Sequence, residues 1–102
     1  MQIKVEGHQY EMSNFENKDQ PGQILQFIHK EPDESNELIT ISDGTTNEEV
    51  LEVLIDRMKF LNNKFPCTEN ELVINHLDFA LFQLNERTRK RIERNVEGKH
   101  YV

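Results

Sequence analysis

Over the first 44 residues the apolar positions come in short runs separated by polar turns, and from Thr45 onward they recur every three to four residues. The first pattern predicts strands. Ile3-Lys4-Val5 is one candidate, Glu6-Gly7-His8-Gln9 a turn, and Tyr10-Glu11-Met12 the returning partner of a hairpin. Residues 13–22 are polar and end in the breaker pair Pro21-Gly22, which predicts a loop. Gln23-Ile24-Leu25-Gln26-Phe27-Ile28-His29 has the strongest strand character. An acidic turn with Pro32 follows over 31–37, and Leu38-Ile39-Thr40-Ile41 closes the series before Ser42-Asp43-Gly44. A single small antiparallel sheet is expected.

The second pattern predicts two helices. Thr46 and Glu49 have the spacing of a capping box, and Val50, Val53, Leu54, Met58 and Leu61 form a stripe that Leu51 and Ile55 widen. This helix, over 46–63, should stop before Pro66, because the residue preceding a proline resists the helical conformation. A second helix over 68–94 opens with Thr68 and Glu71 as another capping box, and its stripe is Ile74, Leu77, Leu81 and Leu84, helped by Val73 and Ala80. At about 1.5 Å per residue the two are roughly 27 Å and roughly 40 Å long. Joined by a short loop they must lie antiparallel, so the second overruns the first by its arginine-rich end. The expected fold is α+β in one domain of 102 residues: a sheet over 1–44, then a helical hairpin with a C-terminal tail over 45–102.

Composition adds a reason to expect more than one copy. Apolar residues are 35% of the chain and charged residues 30%, with mean hydropathy −0.76. A chain this small and polar, without disulfides, is commonly completed by oligomerisation. The single cysteine, Cys67, permits no internal disulfide and fits a reducing compartment. No apolar run has the length of a membrane span or a signal peptide, so a cytosolic location is expected.

The net charge of −7 argues against general affinity for DNA or RNA. It is unevenly placed. Residues 1–84 hold six Lys/Arg against sixteen Asp/Glu, whereas 85–102 hold six against three. The basic end suits a small anion or the acidic body of a second copy.

Signatures of catalysis are missing. There is no phosphate-binding glycine loop, dinucleotide fingerprint or nucleophile elbow. His8, His29, His76 and His100 have no metal-ligand spacing, so neither metal nor cofactor is expected. Glu69 and Glu71 suit the positive end of a helix dipole better than an acid–base pair. Binding chemistry is present instead. Arg87, Arg91 and Arg94 share one helix face, where their forks can grip phosphate or simply pair with Glu86, Glu93 or Glu97. Phe65, at the hairpin tip, is either a core staple against Leu61 and Leu72 or a platform for a base. Asn75, beside Ile74 and off the stripe, is either an ordinary surface amide or a reader of a base edge or sugar hydroxyl.

These pieces stand in an order that resembles a known family. Thr46-Asn47-Glu48-Glu49-Val50, Leu54-Ile55-Asp56-Arg57, Lys64-Phe65-Pro66-Cys67, Glu69-Asn70, Arg87-Thr88, Arg91 and Val96-Glu97-Gly98-Lys99-His100 resemble the hairpin domain of phage-encoded immune-signal sponges. Within that family, which spans anti-Thoeris and anti-CBASS nucleotide sponges, the chain is most similar to the branch that binds cyclic ADP-ribose. Phe79, Gln83 and Asn95 depart from the family pattern, which has an acid, a tryptophan and a glycine there. The resemblance implies a homo-oligomer, dimer or hexamer, in the host cytoplasm. It would hold a cyclic ADP-ribose isomer without cleaving it, and some relatives also take cyclic di- or trinucleotides at a second site. It places base stacking on Phe65, polar contacts on Asn75 and the pyrophosphate on Arg87, Arg91 and Arg94. Arg57, Lys99 and His100 are further carry-overs. The alternative is a protein–protein inhibitor or adaptor acting through the hairpin, which Phe79 and Phe82 would favour if exposed together.

Overall fold

The computed structural model describes residues 1–94. They form an α+β fold in which the strands and the helices make two compact units, one over Met1–Thr46 and one from Asn47 onward.

The first unit holds two sheets where the sequence suggested one. Strands β1 (Gln2–Val5), β2 (Gln9–Met12) and β3 (Gln23–Gln26) form an antiparallel sheet in that order. Strands β4 (His29–Pro32) and β5 (Leu38–Ser42) form a second, two-stranded one. The expected β1–β2 hairpin is present, with Ile3 opposite Tyr10, and Gly7 supplies the positive φ (79°) that its turn requires. A bulge between Ile3 and Val5 breaks the register on β1, an edge strand.

The long strand expected over residues 23–29 is cut at Phe27-Ile28. The amide of Phe27 still donates to the His8 carbonyl (2.8 Å), but that of Ile28 donates to Thr45 (2.8 Å), whose own amide returns to Gln26 (2.9 Å). A residue from beyond β5 thus takes over the ladder, and the chain leaves one sheet for the other. Pro32 lies in β4 and not in the turn, which is tolerable because both strands of a two-stranded sheet are edges. The turn itself is built on Asp33. Its Oδ1 accepts from the Ser35 amide (2.9 Å), the Ser35 hydroxyl (2.8 Å) and the Glu37 amide (3.0 Å). The hydrogen bond from the Ser35 side chain, then that from the Glu37 amide, hold this carboxyl below its ordinary range. Asn36 takes the left-handed conformation (φ 65°). Elsewhere in the unit the rings of His8 and His29 stack face to face at 3.7 Å, and Tyr10 meets Phe27 edge-on at 6.0 Å.

The second unit is a hairpin of α1 (Asn47–Lys64) and α2 (Thr68–Glu93) packed on each other. The least exposed positions set the seam. They are Glu48, Val50, Leu51, Ile55, Met58, Leu61 and Asn62 on α1, and Asn70, Ile74, Leu77, Ala80, Leu81, Leu84, Glu86, Thr88 and Arg91 on α2. Among them Leu51, Ile55, Met58 and Asn62 and, on α2, Asn70, Ile74, Leu77, Leu81, Leu84, Thr88 and Arg91 step by four and three. That alternating spacing of three and four is the seam of an antiparallel helical pair. On α1 the centre of the face is Ile55, a position expected only to widen it, while Val53 (66%) and Leu54 (41%) are exposed. Among the described residues Ile55 is the only side chain classed as buried.

Candidate functional site

Three residues connect the helices. The helical amide of Phe65 donates to Leu61 (2.9 Å), Pro66 brings a fixed φ, and Cys67 is extended (φ −155°, ψ 158°). Cys67, not Thr68, is the N-cap of α2, and its sulfur accepts from the Asn70 amide at 3.4 Å. The cap falls one residue earlier than the Thr68–Glu71 spacing suggests, because the capping position needs extended backbone and Thr68 is already helical. Asn62 Oδ1 accepts from the Cys67 amide (3.1 Å), and Asn70 Nδ2 donates to the Phe65 carbonyl (3.4 Å). In the sequence Asn70 stands out only within the Glu69-Asn70 segment of the family resemblance, and neither asparagine is given a structural role. The available signal was their placement on the last turn of one helix and the first turn of the next, either side of a proline.

The ring of Phe65 is 77% exposed, which removes the staple alternative. Asn75 is an exposed residue of α2, two turns in, and Arg57 is exposed on α1. Arg87 is exposed, Arg91 is half-buried and Arg94 is the C-cap of α2. Lys99 and His100, with Asn95, lie outside the described residues.

Glu86 and Glu93, the acidic neighbours expected to pair with this arginine row, are both engaged by Arg89. Its Nη1 reaches Glu93 at 2.8 Å and its Nη2 reaches Glu86 at 3.0 Å. The hydrogen bonds from Arg89, then its charge, hold Glu86 below the ordinary carboxylate range, and the same pairing raises Arg89. One basic residue of the α2 end is thus committed to neutralising local acids.

A single hairpin does not gather these groups. Sixteen residues separate Asn75 from Arg91, roughly 24 Å along α2 and about 160° around it. Asn75 lies instead on the face turned away from the seam, in line with Leu72 (51% exposed), Phe79 (64%) and Phe82 (56%). Helix α2 therefore carries two apolar stripes, and one hairpin covers only the first. Among the described residues no group of three or more His, Cys, Asp or Glu is arranged to hold a metal ion.

A family model described as Acb2/Tad1, hairpin domain, matches residues 22–89, from the start of β3 to near the end of α2. Thoeris anti-defense 1 of Bacillus phage SBSphiJ7 is 42% identical over 60 residues, which is 58% of this chain and 42% of that relative. The aligned stretch thus spans less than half the length of that relative. With the family model covering more than half of the chain, the protein belongs to the Acb2/Tad1 hairpin-domain family of phage anti-defence proteins.

Proposed function

We propose that this protein binds a cyclic ADP-ribose-type immune signal in the host cytoplasm and holds it without cleaving it, so that the host effector stays off. The observation that carries the reading is the ring of Phe65, held out to solvent at the tip of a family-defining hairpin. Such a ligand offers a base to stack, ribose hydroxyls to read and a pyrophosphate to neutralise. An aromatic, an amide and an arginine row match those groups in turn. Sequestration asks for no general acid or base.

Because Asn75 and Arg91 stand roughly 24 Å apart on one helix, a ligand touching both takes them from two copies. In this reading the Phe65–Asn75 end of one hairpin meets the Arg87, Arg91 and Arg94 end of another, related by a twofold axis that makes two equal sites. Acid-rich and arginine-rich ends are then juxtaposed. Arg57, Lys99 and His100 belong to the same proposal, as does a second site for cyclic di- or trinucleotides in a hexamer.

Exposure of both Phe79 and Phe82 favours the second reading, a protein–protein inhibitor or adaptor working through α2. One experiment separates the readings. The protein is mixed with cyclic ADP-ribose linkage isomers, filtered, and heat-denatured. A sponge depletes one isomer and returns it intact; an enzyme returns product; an adaptor depletes nothing. The shared site is tested by refolding Asn75→Ala and Arg91→Ala chains together. The mixed dimer has one doubly damaged and one intact site, so part of the lost binding returns. A mixture no better than either variant alone rejects the shared site.

A further inference from the structure

The connection between α1 and α2 leaves little of its own backbone unbonded. Phe65 donates through its amide to Leu61 and accepts at its carbonyl from Asn70. Cys67 donates through its amide to Asn62 and accepts at its carbonyl from Glu71 (3.3 Å). Two of these four bonds come from side chains, one from each helix, and they cross the connection in opposite senses. Asn62 acts only as an acceptor there and Asn70 only as a donor. What they fix is the backbone under a large apolar ring that remains mostly in water. Left to itself, a three-residue connection would let that ring turn and seek cover. A ring in its binding pose a tenth of the time binds about tenfold more weakly.

We infer that Asn62 and Asn70 are positioning residues that set the affinity of the proposed nucleotide site by holding Phe65 ready, without touching the ligand. The inference rests on the stacking role proposed for Phe65. It predicts a chemical asymmetry that a purely structural role would not produce. Asn62→Asp keeps an acceptor for the Cys67 amide, although a negative charge near the C-terminus of α1 opposes the helix dipole. Asn70→Asp loses the donor to the Phe65 carbonyl, although a negative charge in the first turn of α2 favours the dipole. Asn62→Asp should therefore keep binding near wild type while its stability falls, whereas Asn70→Asp should lose binding while the helix dipole offsets part of the lost bond.

The test measures calorimetric affinity for whichever cyclic ADP-ribose linkage isomer binds the wild type most tightly. It runs in both the Phe65 and the Phe65→Ala backgrounds, with melting temperatures recorded alongside. Asn62→Ala, Asn70→Ala and Asn70→Asp should each lose about three- to tenfold, the usual worth of one hydrogen bond. Asn62→Asp should stay within about twofold of wild type, and in Phe65→Ala all four should change affinity by less than about twofold. Amide exchange at Cys67 should accelerate in Asn62→Ala and not in Asn62→Asp. Losses that persist in Phe65→Ala, affinities that follow the melting temperatures, or unchanged exchange at Cys67 would overturn the inference. If Phe65→Ala alone leaves binding intact, the stacking role falls and the inference with it. Faster exchange would then mark the asparagines as part of the fold only.

Discussion

The β unit and the helical hairpin solve the same shortage of apolar material in different ways. In the β unit, polar side chains fold back on the chain that carries them. Asp33 closes the β4–β5 turn, Gln26 donates to the Phe27 carbonyl (2.8 Å), and Asn14 Nδ2 lies within 3.4 Å of three carbonyls of its own loop. In the hairpin, side-chain bonds of this kind fix the connection between the helices. The hairpin relies on one seam, of which only Ile55 is buried, and leaves Leu72, Phe79 and Phe82 in water. The first unit ties its loops with local hydrogen bonds while leaving Ile3, Phe15, Ile24, Ile39 and Ile41 exposed; the second leaves one whole apolar stripe of α2 exposed. The family match crosses this line, since it takes in β3, β4 and β5 with the hairpin and leaves β1 and β2 outside.

The contrast is sharpest at Ile55. Ile55→Ala should cost about 2–5 kcal/mol, as for a buried aliphatic cut to alanine, and should melt the helices first. Urea unfolding followed by helical circular dichroism checks this. A loss below about 1 kcal/mol would mean the seam lies elsewhere. Leu77→Ala should cost less, since Leu77 is only half-buried in one copy.

Phe65→Ala should leave the fold intact and weaken binding of the cyclic nucleotide by about 1–3 kcal/mol, the worth of one stacked base. Calorimetry with the preferred isomer reads it, and unchanged affinity would remove Phe65 from the site.

The Asp33 turn of the β unit should respond to acid on its own. Asp33 is held below its ordinary value of 3.8 by hydrogen bonds that favour its charged form. Its stabilising contribution is present in full above that value and is lost as the pH falls through the lower, folded one. Asp33→Asn should remove this acid dependence from amide exchange at Ser35 and Glu37, and leave the helical amides unchanged.

The smallest effect is expected at Arg89. Its ion pairs are exposed, so Arg89→Ala should leave the urea midpoint of the helical signal nearly unchanged. A clear fall in that midpoint would show that the basic end of α2 is more tightly organised than its exposure indicates.

Much of the fold is legible in the residues. The β1–β2 hairpin follows from two alternating triplets around Gly7, and both helices from their period and the proline between them. The break at Phe27-Ile28 is not, because the apolar run continues through it and the new partner, Thr45, arrives from seventeen residues beyond Ile28. Pro32 in β4 was hidden because a two-stranded sheet has no central strand to forbid it. In the site, residue types marked Phe65 and the arginine row. The Asn62 and Asn70 bonds depend on the geometry of a turn and leave no periodic trace. The second stripe of α2 was obscured because its phenylalanines lie outside the period that fits the first.

The bulge in β1 matters for how such a protein can be stored. An open sheet edge recruits further strands and, repeated from copy to copy, grows into fibres. In β1 the irregularity falls at Lys4, whose ammonium is tied to Glu11 at 3.4 Å, so an incoming strand meets a broken ladder beside a charged pair. The break in register and the charged pair therefore oppose strand-by-strand growth from this edge.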